Sequence, residues 1–370
     1  MIREGHFGFY EAFSLMTIVL ITKLFYTSPM VIIKSLGTAA WYGTLISCGI
    51  TLVFFALLFS LMARFPQQDL YQIFEAVTGK IVGKILILIF AVYLLYKAGI
   101  TLAEFIAVLN VYSMPYTPQS VLVFAFLLLV VAMAYVGLEG IARVAYVFFY
   151  PIIGSLFLLL LLAIPNYDYC YLTPLLGHGL LRTMETGVIR SAAYGEIVFL
   201  AVIINSIHGL KNFKKVGFIT VISAGVIFSL CLSCILAAFQ YTVGGEHLSG
   251  MYQLSRIIYF SRFLQRVESI FLFIWVITSL ITVSFAFYLA LSSYCRAFKI
   301  QNHRPLLLPF STLVFVLALY PDNIAEIIEV HVKVLRAYSS LILMFIPIMV
   351  LIMALIRGKK GEKANDQAKP

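Results

Sequence analysis

The chain has 370 residues, of which 62% are hydrophobic and only 11% charged, with a mean hydropathy of +1.01. Soluble domains carry about 25% charged residues, so this composition excludes a water-soluble fold and points to an integral membrane protein. The formal charge of +10 invites a nucleic-acid reading, but the basic residues fall in short loops and the C-terminal tail, where they set membrane topology.

A bilayer core of about 30 Å needs about 20 apolar residues as helix. About ten stretches meet that need, with ends good to about 2–4 residues. Span 1 covers roughly 9–35, span 2 39–64, span 3 83–111, span 4 119–137 and span 5 141–164. Span 6 covers roughly 187–208, span 7 215–240, span 8 266–297, span 9 305–320 and span 10 335–356. Between spans 2 and 3, Gln68 to Gly79 predicts a short amphipathic helix at the inner surface, with Leu70, Ile73, Phe74 and Val77 on one face. Met1 to Tyr10 carries Arg3 and Glu4 and runs into a full-length span, unlike a cleavable signal peptide.

With the N-terminus inside, 16 Lys and Arg fall on the inner side and 8 on the outer, while Lys23 and Lys97 lie within spans. This bias predicts that both termini are cytoplasmic. The chain reads as one transmembrane unit over 1–357, followed by a polar, disordered cytoplasmic tail at 358–370. Its basic loops, Lys211 to Lys215 and Arg296 to Arg304, and the tail can meet anionic lipid or a partner subunit. The five cysteines, Cys48, Cys170, Cys231, Cys234 and Cys295, form no disulfide framework, and Cys231-Leu-Ser-Cys234 reads as small packing residues within span 7.

Two spans are broken near the middle. Span 1 is interrupted at Thr22-Lys23-Leu24-Phe25-Tyr26-Thr27-Ser28-Pro29 and span 6 at Ser191-Ala192-Ala193-Tyr194-Gly195-Glu196. Each places a charge beside a helix breaker at membrane depth, where unpaired backbone is tolerated only around a cavity. Matched breaks, one in each half, fit an inverted repeat with halves at about 9–164 and 187–356, and a small-solute site of discontinuous helices.

Lys23 has two readings. It pairs with Glu196 or Glu104 to hold helices together, or it contacts a ligand carboxylate or takes the place of a coupling cation. Tyr26, Thr27 and Ser28 offer hydroxyls and freed backbone groups to a small polar ligand. Tyr194 and Gly195 belong to the second break, where Gly195 permits close approach and Glu196 adds a carboxylate. In span 3, Lys97, Thr101 and Glu104 share a face, and Trp275 and Thr278 add candidates from span 8, although Trp275 also suits an outer aromatic belt. No catalytic motif, cofactor fingerprint or metal-ligand spacing is present, and His208 and His331 read as interfacial residues at helix ends. The cluster Arg266-Val-Glu268 reads as an outer-boundary feature for structure or partner binding, and the apolar face of Gly244 to Gln265 (Met251, Tyr252, Leu254, Ile257, Ile258, Phe260) as packing over the outer mouth, with packing on a partner the alternative.

Several segments resemble the B-subunit permease family of bacterial spore germinant receptors. They are Phe65-Pro66 with Thr78-Gly79-Lys80-Ile81-Val82-Gly83-Lys84, Thr117-Pro118, Gly137-Leu-Glu-Gly-Ile-Ala-Arg143 and Leu172-Thr-Pro-Leu-Leu-Gly177. The series continues with Gly195-Glu196, Arg266-Val-Glu-Ser-Ile-Phe-Leu-Phe-Ile-Trp275 and Tyr320-Pro-Asp-Asn323. Each is weak alone; their order and spacing are specific. The resemblance implies an all-α, LeuT-like 5+5 fold of the amino acid–polyamine–organocation superfamily, with spans 1 and 6 unwound at a central site. It also implies recognition of a germinant, often an amino acid, in the inner spore membrane, together with an A-type membrane subunit and a C-type lipoprotein. Relatives often carry small or glycine-rich residues where this chain has Thr22-Lys23-Leu24-Phe25. A proton-coupled amino-acid transporter with the same pocket is the alternative, and a ligand-free scaffold subunit the third class.

Overall fold

The computed structural model of the chain describes residues 5–66, 68–259 and 267–361. Among these, every regular element is helical. Span 1 is two helices, α1 (Phe9–Ile21) and α2 (Ser28–Leu36), separated by a 3-10 turn at Thr22–Phe25. Gly37, at φ +61, turns the chain into α3 (Ala40–Arg64). Only glycine enters that left-handed region readily.

The inner amphipathic helix is α4 (Leu70–Thr78), and Leu70, Ile73, Phe74 and Val77 are buried as its spacing required, joined by Tyr71. Asp69 caps it, accepting from Tyr71 N at 3.0 Å and Gln72 N at 3.1 Å, while Gln72 reaches back to Asp69 N. Spans 3, 4 and 5 are α5 (Lys80–Tyr112), α6 (Gln119–Val136) and α7 (Leu138–Leu162). Span 6 starts earlier than its hydropathy suggested, as α8 (Leu180–Arg190), because this first half is amphipathic and carries Arg182, Glu185 and Arg190. An eight-residue 3-10 segment, Ser191–Val198, follows, then one helical turn at Phe199–Val202. Such 3-10 runs rarely exceed 3–4 residues, so the α-helix of span 6 is interrupted here.

Span 7 is α9 (Leu210–Ala238), followed at the end opposite the termini by α10 (Gly250–Arg256) and then by span 8 as α11 (Val267–Phe298). Span 9 is α12 (Leu307–Leu319). Span 10 is α13 (Ile324–Ile356), which begins well before the expected residue 335 and contains π-helical stretches at Ile327–Val332 and Ser340–Phe345. Its charged first turns, with Glu326, Glu329, Lys333 and Arg336, hid that start from hydropathy. His331 consequently lies within α13 and not at a helix end, and it is buried, with Nδ1 2.9 Å from Tyr96 Oη.

Among the described residues, seven helices are long and apolar enough to cross a membrane. They are fewer than the ten expected spans because α2 and α3 form one such stretch, the halves of spans 1 and 6 are short, and α12 is short. The buried centre is formed by α5 against α11, with α1 packed on α7 and α9, and α3 on α9. At the end holding both termini, Phe7 N donates to Ser206 O at 2.9 Å, and Asp69 Oδ2 accepts from Arg296 Nη1 at 2.6 Å and Asn205 Nδ2 at 3.3 Å. Part of the tail expected to be disordered is held there, since Lys359 Nζ donates to Ala76 O at 2.6 Å and Gly361 N to Arg64 O at 2.9 Å. Residues 362–370 lie outside the described residues, as do Arg266 of the outer charge cluster and Phe260 of the outer apolar face.

Candidate ligand site between the broken spans

A helix that unwinds in a bilayer must place its freed carbonyls on other partners. In the span 6 break, whose carbonyls have only the poorer 3-10 hydrogen-bond geometry, side chains from three other spans add donors. Ser191 O accepts from Thr51 Oγ1 of α3 at 3.2 Å, Ala192 O from Ser339 Oγ of α13 at 3.3 Å, and Ala193 O from Lys23 Nζ of span 1. The span 1 break is met the same way. Phe25 O accepts from Ser249 Oγ at 2.8 Å, while Thr27 N and Oγ1 donate to Glu104 Oε1 of α5 at 3.1 and 2.5 Å. Thr22 Oγ1 bonds Ile18 O at 2.6 Å and lies 2.9 Å from Thr282 Oγ1 of α11.

Between the breaks lies a cavity of about 530 Å³, extending toward the half of the fold away from the termini. Its charged lining comprises Lys23, Lys97, Arg190, Lys333 and Arg336 against Glu104, Glu196 and Glu329, five cations to three carboxylates. Glu196 is the hub. Its Oε1 pairs with Lys97 and lies 2.9 Å from Lys23 Nζ, whereas its buried Oε2 has no hydrogen-bond partner. The two lysines are not equivalent. The Lys97 side chain is 4% exposed and its Nζ sits 5.7 Å from the centre of the Phe199 ring, while the Lys23 side chain is 23% exposed. Both readings of Lys23 thus meet in one geometry, because it pairs with Glu196 and faces the cavity.

Of the remaining candidates, Tyr26, Ser28 and Thr101 line the cavity. Tyr26 Oη donates to Ser279 Oγ at 2.9 Å. Thr27, Tyr194, Gly195, Trp275 and Thr278 do not line it. Thr27 is turned to Glu104, and Tyr194 Oη lies 2.7 Å from Thr44 Oγ1. Gly195 backs onto α13, with room for ordinary contact between a Cβ and Leu343, and no unusual φ requires glycine there. Trp275 is fully buried among Phe105, Phe271 and Tyr26, in neither the cavity nor an aromatic belt, and Thr278 Oγ1 bonds Trp275 O at 2.9 Å. The sequence reading missed span 10, whose π-helical stretches bring Ile328, Glu329, Val332 and Ser340 to the cavity, and Arg190 at the end of α8. Three charges in 329–336, Glu329, Lys333 and Arg336, were the available signal. The segment after α9 packs on α11 and the span 1 break, with Met251, Tyr252 and Leu254 buried, and none of its described residues lines the cavity.

Two discontinuous helices around a charged cavity at mid-span define a transporter-type membrane fold. The profile of the family described as "Spore germination protein" matches residues 7–327, and the chain belongs to that family. It is 22% identical over 339 residues to spore germination protein KB of Bacillus subtilis (strain 168), covering 90% of each chain. It is 24% identical over 341 residues to spore germination protein YndE of the same organism, covering 87% of this chain and 88% of that one. Among solved structures it resembles a substrate-bound, outward-open Na⁺-coupled sialic acid symporter, with a TM-score of 0.65 at 13% identity, covering 97% of this chain and 92% of that one. The fold is therefore LeuT-like.

Proposed function

We propose that this chain is the germinant-recognition subunit of a spore germination receptor, and that it binds an amino acid or a similar small polar nutrient between its broken spans. The observation that carries the reading is the Lys23–Glu196–Lys97 cluster beside a cavity of about 530 Å³, a size within the roughly 300–1,000 Å³ of small-ligand sites. An α-amino acid complements it. The ligand carboxylate meets the Lys23 ammonium, and the ligand ammonium meets the unpartnered Oε2 of Glu196. Tyr26, Ser28 and Thr101 offer further contacts, while Thr27, Tyr194, Gly195, Trp275 and Thr278 hold the frame behind them.

Lys23 also stands in for a coupling cation in this reading. Its ammonium donates to a freed carbonyl of the unwound span and pairs with a carboxylate, the oxygen types that hold sodium in coupled transporters. Binding then needs no sodium. The chain works as a single unit over 1–357 in the inner spore membrane, termini toward the core, and passes its ligand state to an A-type subunit and a C-type lipoprotein.

The test is a thermal-shift screen of small polar nutrients on purified protein, with and without sodium, followed by germination of spores carrying Lys23→Met. Ligand binding without sodium, and loss of germinant response while the variant still inserts and assembles, are expected. Steep sodium dependence or an unchanged response in Lys23→Met overturns the role of Lys23. Concentrative uptake in proteoliposomes would make the chain a transporter. Co-expression that recovers neither partner subunit removes the receptor reading.

A further inference from the structure

Arg190 and Arg336 line the cavity toward the end of α8 and the first half of α13, beyond the Lys23–Glu196 cluster. Neither guanidinium makes an ion pair or side-chain hydrogen bond with a described residue. Arg336 acts electrostatically on both Arg190 and Lys23, so three like charges share one wall of the site. Glu104 and Glu329 offset Arg336 from a distance, but Glu104 Oε1 is committed to Thr27, and Glu329 is exposed. A guanidinium cannot shed its proton to relieve such crowding. Its fork is shaped to take a carboxylate on two N–H donors.

The site thus has two ends of different chemistry. One holds a cation and a half-satisfied carboxylate, which suits an α-amino acid head group. The other holds two guanidiniums without an ion-pair partner among the described residues, flanked on α13 by Lys333 and the exposed Glu329, and the lining as a whole has five cations to three carboxylates. A neutral amino acid satisfies the first end and leaves the second bare. We infer that Arg190 and Arg336 form a second carboxylate subsite, so that the preferred ligand is an acidic amino acid whose side-chain carboxylate bridges the two guanidiniums. This inference rests on the proposed function and specifies its ligand class.

The experiment compares aspartate and glutamate with asparagine and glutamine by calorimetric titration of the purified chain, and of Arg190→Gln/Arg336→Gln and Arg190→Lys/Arg336→Lys. Acid and amide differ by one charge and almost no volume, so their affinity ratio reports the second end of the site. The unmodified protein is expected to prefer the acid by about 10- to 100-fold, as a buried charge-assisted contact allows. The Gln pair is expected to bring the ratio toward one, and the Lys pair to retain part of it. Ligand-free melting of the Gln pair should not fall, since unpaired like charges are being removed; a single Arg336→Gln variant repeats the ratio if the double one does not fold. Equal binding of acid and amide by the unmodified protein, or a preference that survives both substitutions, overturns the inference and leaves the recognition role standing. Binding of neutral amino acids with none of the four acids and amides also overturns it alone. Failure of every small polar nutrient to bind overturns the recognition role as well.

Discussion

Glu196 shows how one residue ties the site to the stability of the fold. It is 3% exposed and pairs with two ammonium groups through a single oxygen. Removing one member of a buried ion pair leaves an uncompensated charge and costs about 3–5 kcal/mol. Glu196→Gln is therefore expected to lower the melting temperature in detergent far more than Lys97→Met, which leaves the Glu196–Lys23 pair intact. The double variant Lys97→Met/Glu196→Gln should be milder than the sum of the two, because only Lys23, the more exposed lysine, then lacks its partner. Additive losses across the two single variants would show that the two side chains do not act as a unit.

At the scale of elements, the breaks are held by side chains that arrive from other helices. Pro29 lies in the first turn of α2, where its missing N–H is harmless. The unwinding is held by Ser249 Oγ on Phe25 O and by Glu104 on Thr27. Pro29→Ala should accordingly change stability by less than about 1 kcal/mol. Ser249→Ala should cost about 1–3 kcal/mol, because it leaves a buried carbonyl unmet. Thermal melts of both variants decide the matter, and the reverse order would make proline the cause of the break. Ser249 also caps α10 by accepting from Tyr252 N at 3.4 Å, so this substitution loosens the outer helix and the span 1 break together. The outer segment and the ligand site are thus mechanically joined through one hydroxyl.

At the scale of the molecule, the two-to-one bias of Lys and Arg predicts both termini inside, and a native cysteine offers a check on that expectation. Cys170 is exposed in the loop between α7 and α8, at the end opposite the termini, whereas Cys48, Cys231 and Cys295 are buried. A membrane-impermeant maleimide added to intact cells is expected to modify the protein, and Cys170→Ser to abolish that labelling. Labelling only after permeabilisation would invert the topology. The same loop keeps its distance from the inner cluster of Asp69, Asn205 and Arg296, which links α4, span 6 and α11 at the terminal end. The cavity lies between the terminal end, closed by these polar contacts, and the opposite end, where α10 packs against α11 and the span 1 break.

The sequence by itself determined the helical membrane class, because long apolar runs with few charges leave the backbone no other way to satisfy itself in lipid. It also located both breaks, since Lys23, Pro29, Gly195 and Glu196 are local signals at membrane depth, and helical spacing put Lys97, Thr101 and Glu104 on one face. Tertiary structure alone decided the rest. Nothing local says that Glu196 is shared by lysines 173 and 99 residues away in the chain (196 − 23 and 196 − 97). Nor does any local signal say that Trp275 sits behind Tyr26 and outside the cavity, or that α13 starts early and lines the site. Those outcomes depend on which spans become neighbours, and hydropathy, which records only each span's preference for lipid, carries no record of its partners.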